Sequence, residues 1–225
     1  MTHPEENAGK LDYRKVLPIV VILFVDLLGL SIMIPLLPFY AARFGANALI
    51  VGILSATYPA LQFIGAPLLG RLSDRLGRRP ILLVSQAGTL IGFVVLALAN
   101  SLWMLFVSRM IDGISGANIS TAQAVITDST DESNRTRGLG LVGAAFGMGF
   151  IMGPVIAFLV LALSGGNYQA VAITAAGFSF TSILLTFFWL PETLDLPGRR
   201  LIVSAENSVS RPCSTRSAAR PWVFC

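Results

Sequence analysis

Gly70-Arg71-Leu72-Ser73-Asp74-Arg75-Leu76-Gly77-Arg78-Arg79-Pro80 is the stretch whose reading decides how this chain folds. It sets four arginines and one aspartate between two long apolar runs. Charges of this kind are costly inside hydrocarbon, so the stretch marks a membrane surface. Gly70 and Gly77 read as the bounds of a short, tightly turned loop. Pro80 suits the first turn of the next helix, where its missing N–H costs nothing. A basic loop on the cytoplasmic side accounts for the arginines. It does not account for Asp74 or for the glycine spacing.

The composition outside this stretch agrees. The 225 residues are 54% hydrophobic and 12% charged, against about 25% charged in soluble domains. The chain reads as an all-α integral membrane protein, and at roughly 20 residues per span its length allows about six helices. A net charge of +4 reflects membrane orientation, because the basic residues flank apolar runs. No nucleic acid is expected as a partner. Cys213 and Cys225 both lie in the last segment, which leaves no disulfide framework and no CxxC site. His3 is the only histidine. A Ser-His hydrolase or a His-ligated metal site therefore has no imidazole to use. The expectation is a protein that is not an enzyme and carries no metal and no cofactor.

Residues 1–15 are polar and end in Lys10, Arg14 and Lys15, which reads as an amino-terminal tail. The apolar run 16–40 is longer than a signal peptide allows, so it reads as a retained span. Further spans are expected at 47–69, with Asn47 as N-cap, at 80–99, at 102–126, at 138–163 and at 170–190. A polar loop of both charge signs, 128–137, separates the fourth from the fifth. Lys and Arg gather at 10–15, 71–79, 135–137 and 199–200, whereas the opposite side has Arg43 alone. That partition places both termini in the cytoplasm of a multi-pass protein of the cell membrane. Residues 16–193 read as the six-helix domain. Residues 194–225 have no span-length apolar run or convincing periodicity and read as a disordered cytoplasmic tail.

Three groups of residues inside the spans stand out. Asp26 lies near mid-bilayer in the first span, at about 1.5 Å per residue, and an intramembrane carboxylate is by default a functional candidate. Arg109 in the fourth span lies at a depth close to Asp26. A buried arginine needs a partner, since an unpaired charge in low dielectric is several kcal/mol unfavourable. Asp26 and Asp112, at i+3, can each supply it. A structural ion pair and a working site are both open readings here. Gly140, Gly143, Gly147, Gly149, Gly153 and Pro154 give the fifth span a bare face for close packing and a proline bend.

These residues carry a resemblance that runs from about residue 16 to 193. The stretch at 70–80 resembles the loop between the second and third helices of major facilitator superfamily transporters, and Gly70, Leu72, Asp74, Arg75, Gly77, Arg78 and Arg79 fill its pattern. Asp26-x-x-Gly29 with Pro35-x-x-Pro38 is similar to the first helix of drug:proton antiporters of that family. Leu105, Arg109, Asp112, Gly113, Gly116 and Ala117 resemble its fourth-helix motif. Gly149, Gly153 and Pro154 resemble its antiporter motif, although Ala157 and Phe158 stand where the family has two more glycines.

The resemblance implies the amino-terminal half of a proton-coupled exporter of the tetracycline and multidrug type, working by alternating access. It implies proton coupling and a substrate cavity at Asp26, Arg109 and Asp112, and a gate at Gly70, Asp74, Arg75, Gly77, Arg78 and Arg79. Its partners would be the lipid bilayer, protons, an amphipathic drug-like substrate and a complementary carboxy-terminal half. The family has two six-helix halves, so one half is expected to be incomplete as it stands. A non-transporting regulator of a full-length carrier, a six-helix carrier working as a homodimer, and an uptake carrier are the alternative readings.

Overall fold

The computed structural model describes residues 13–130 and 132–190. Most of the amino-terminal tail and the whole segment 194–225 lie outside the described residues. Among those described, every element is an α-helix: α1 (Tyr13–Met33), α2 (Leu37–Arg43), α3 (Ala48–Leu76), α4 (Arg78–Ala97), α5 (Leu102–Ser115), α6 (Asn118–Ser129), α7 (Glu132–Leu163) and α8 (Tyr168–Trp189). Five stretches are long and apolar enough to cross a membrane unbroken: Val16–Arg43, Ala48–Leu76, Arg78–Ala97, Asn134–Leu163 and Tyr168–Trp189. The first of them joins α1 to α2 through a turn at Pro35. The sixth crossing is made by α5 and α6 together. The result is the six-helix bundle expected from the sequence.

Several local signals act as their chemistry requires. Asn47 Oδ1 accepts the Ile50 N–H at 2.9 Å and caps α3. Gly77 has φ 109°, a backbone region that L side chains rarely adopt. It ends α3 and starts α4 within one residue.

The charged stretch read as a loop is instead helical up to Leu76 and again from Arg78. Arg71, Ser73, Asp74 and Arg75 tolerate a helix in water, so α3 runs on past the apolar region and stops only at the glycine. The expected loop 128–137 shrinks for the same reason, because α6 continues to Ser129 and α7 begins at Glu132.

The fourth crossing, read from sequence as one helix, breaks at Gly116 and Ala117. Gly116 has ψ 47°. The backbone groups freed there find side chains from two neighbouring helices. The Ser85 hydroxyl donates to Ser115 O and accepts the Ala117 N–H at 3.1 Å. Gln62 Nε2 donates to Gly116 O at 2.7 Å.

The core falls into two apolar clusters. One gathers Ile32, Met33, Tyr40, Phe93, Leu96 and Leu105. The other gathers Ile19, Leu23, Leu27, Leu82, Val125 and Ile126. Between members of the two along the chain lie Gln86, Thr89, Arg109, Asp112 and Asn118, and Asp26 adjoins Leu27; all six are buried. Polar hydrogen bonds tie helices across this band, as expected where no water competes. Gln86 Nε2 donates to Ser182 Oγ at 2.7 Å, and Ser182 Oγ donates to Ile22 O at 3.2 Å.

Candidate functional site

Asp26 sits on α1 with 8% of its surface exposed. Its Oδ2 accepts a hydrogen bond from Asn118 Nδ2 at 2.7 Å. Arg109 Nη1 lies 3.4 Å from Asp112 Oδ2 on the same helix, with both side chains buried. Of the two pairings the sequence allowed for Arg109, the structure therefore has the one with Asp112. The guanidinium also stands 5.8 Å from the centre of the Phe93 ring. Among the described residues this leaves one carboxylate matched by one guanidinium, and a second, Asp26, held only by a neutral amide.

Close packing brings these groups together. At Gly92 a methyl group would meet Asp112 Cβ at 3.0 Å, and at Gly113 it would meet Tyr58 O at 2.8 Å. Glycine thus lets α5 lie between α3 and α4 at backbone distance. Asp26, Tyr58, Gln62, Thr89, Asp112 and Asn118 line one small cleft of about 10 Å³, room for roughly one water molecule. Asp26 Oδ1, Asn118 Oδ1 and both Asp112 oxygens make no hydrogen bond among the described residues. The arrangement can hold and reorient a proton, but it is too small for an organic substrate.

The antiporter-type residues reach this region from the other side. Ser31 Oγ donates to Gly149 O at 2.8 Å. A methyl group at Gly149 would meet Leu27 Cβ at 3.2 Å, and one at Gly153 would collide with the Ser31 side chain. Pro154 follows inside α7. Gly149 and Gly153 thus seat α7 against α1 beside Asp26. Gly140, Gly143 and Gly147 meet nothing within 4 Å, so the glycines serve two different faces. Ala157 is buried in the core, and Phe158 points outward, 52% exposed.

The residues of the 70–80 stretch divide as well. Arg78 joins Asp74 at 2.5 Å and Asp128 at 2.8 Å. Arg79 donates to Phe187 O near the end of α8 and stands 5.5 Å from the Phe187 ring, which suits a cation at a helix C-terminus. Gly77 makes the reversal. Arg71, Asp74 and Arg75 are exposed, and with Leu68 and Leu72 they line an open cavity of about 410 Å³. Gly70 lies within α3, where an added methyl group would meet no atom within 4 Å.

Asn118, Gln62 and Ser85 were not singled out from sequence. The signal was present for all three: each is polar within an apolar span, the criterion that found Asp26. An amide or hydroxyl is cheaper to bury than a charge, so it draws less notice.

The profile of the Major Facilitator Superfamily matches residues 19–224. The class E tetracycline resistance protein of Escherichia coli is 41% identical over 183 residues, covering 80% of this chain and 44% of that protein. The class D protein of Salmonella ordonez is 42% identical over 181 residues, covering 79% and 46%. The crystal structure of the human organic anion transporter MFSD10 (TETRAN) superposes with TM-score 0.72 at 28% identity, covering 84% of this chain and 50% of that one. A peptide transporter structure at 19% identity and TM-score 0.64 shares the fold. The chain spans less than half the length of the tetracycline resistance proteins it matches.

Proposed function

The chain belongs to the major facilitator superfamily, and from that premise we propose that it is the amino-terminal half of a proton-coupled exporter of drug-like small molecules. The observation that carries the reading is the buried polar band, in which, among the described residues, Asp26 is held by Asn118 alone while Arg109 is matched by Asp112. Asp26 takes up a proton from the outer side as substrate leaves and releases it inward when the cavity reopens to the cytoplasm. Arg109 and Asp112 keep a fixed charge pair beside it. The likeness to tetracycline resistance proteins supports a drug substrate and a second six-helix half as partner. The glycine seat of α7 on α1 supports export, since sugar and organic-anion uptake carriers generally lack that glycine-proline pattern. The likeness to an organic anion transporter favours an anionic substrate as the second reading.

Alternating access is one repeat rocking against another around a shared midplane site. The exposed edge of the charged stretch, with Gly70, Asp74 and Arg75, is where the partner half closes the cytoplasmic gate. Gly77, Arg78 and Arg79 fasten that edge to the rest of the bundle. Residues 16–193 are the transport half in the cell membrane, with 1–15 and 194–225 on its cytoplasmic side.

The test is export from proteoliposomes under an imposed proton gradient, with the chain joined to a complementary half. Asp26→Asn abolishes pH-driven export while the protein stays in the membrane; export at the original rate would reduce Asp26 to a structural role. Orientation is tested separately. A cysteine at the exposed Arg75 reacts only from the cytoplasmic side and one at Gly166 only from outside. Reaction of position 75 from outside would invert the topology.

A further inference from the structure

We infer that Asn118 is the positioning residue of the Asp26 site: its amide holds one carboxyl oxygen and leaves the other to take the proton. The inference rests on the reading of Asp26 as a proton carrier. Asn118 is 6% exposed and donates to Asp26 Oδ2 at 2.7 Å, while Asp26 Oδ1 makes no hydrogen bond among the described residues. The charged and titratable groups around Asp26 are Asp112 and Arg109 on α5 and Tyr58 on α3. Arg109 is taken by Asp112, so the amide is what orients the carboxyl group. A protonated Oδ1 leaves Oδ2 as the carbonyl oxygen, which still accepts from the amide. The orientation therefore survives both charge states.

The break in the fourth crossing makes this geometry possible. In an unbroken helix the six steps from Asp112 to Asn118, at about 100° each, would turn Asn118 about 120° away from the face of Asp112. The interruption at Gly116 and Ala117, held by Ser85 and Gln62, lets both residues line one cleft. The far end of α6 carries Asp128, paired with Arg78 of the charged stretch.

Infrared spectroscopy of this chain in lipid, with carboxyl-labelled aspartate, reads the site directly. The protonated Asp26 band is the one that disappears in Asp26→Asn. In Asn118→Leu, which keeps the bulk and removes the donor, the band moves to higher wavenumber because its carbonyl loses a hydrogen bond. In Asn118→Thr, which keeps a donor, it stays near its original position. Asn118→Ala replaces the leucine variant if that one does not insert. A band unmoved in the donorless variants overturns the assignment of Asn118 alone. Absence of any protonated Asp26 band between about pH 4 and pH 10 removes the proton reading and this inference with it.

Discussion

α1 and α7 lie against each other and are both strongly apolar, yet the protein covers them very differently. In the apolar window of the first crossing 61% of the residues are buried; in that of α7 the figure is 17%, and in α3 it is 11%. Hydropathy states what enters the membrane, since lipid and protein core are equally dry. It does not state what another helix covers. That information lies in the small and polar residues. Asp26 and Ser31 mark the face of α1 that meets protein, and Gly149 and Gly153 mark the one face of α7 that meets α1. Elsewhere on α7, Met148, Ile151, Val155 and Leu159 are exposed.

The largest effect that would break this contrast is transport by the chain alone. On the proposed reading a second half completes the open faces of α3 and α7, so purified chain in liposomes is expected to move no substrate under a proton gradient. Accumulation without a partner would show that the open faces already suffice, and a dimeric mass in detergent would then assign them to a second copy.

Next is the polar band. Arg109→Ala leaves Asp112 buried without its cation and is expected to cost about 3–5 kcal/mol, read as thermal unfolding in detergent. Replacing Arg109 and Asp112 together by apolar residues of similar volume restores most of that loss. A double variant as unstable as the single one would mean the pair is held by more than its mutual charge.

The two glycine faces of α7 sharpen the comparison further. Gly153→Leu forces α7 off Ser31 and is expected to cost about 1–3 kcal/mol. Gly143→Leu points into open space and is expected to stay within about 0.5 kcal/mol of the original. Equal losses at both positions would show that the open face is covered in this chain. The membrane edge also gives a small effect. Asp128→Ala removes a pair that is 28% exposed on the aspartate side and should cost no more than about 1 kcal/mol.

Much of this was legible in the sequence. Six crossings follow from apolar runs separated by polar or charged stretches, and Asn47 and Gly77 follow from the backbone chemistry of caps and reversals. Asp26, Arg109 and Asp112 were found because burying a charge is so costly that each one demands an explanation. Which of them pair was not legible, because Asp112 and Asp26 satisfy the same requirement and only the packing of α5 between α3 and α4 separates them. Asn118 escaped because its role depends on the helix break, and the break is stabilised by Ser85 and Gln62 on other helices. The charged stretch misled in a simpler way. A helix ends where its backbone must turn, at Gly77, and not where hydrocarbon gives way to water.

A reversal made by a single residue has no slack. With only Gly77 between them, α3 and α4 share one rotational phase, like two gears on a common key. A residue inserted within 71–76 would turn everything after it by about 100° relative to the upstream helix. The upstream part of α3 would then be carried out of step with α4 and α5, against which it packs. Segments joining helices usually absorb insertions well; this one is where the chain should tolerate them least.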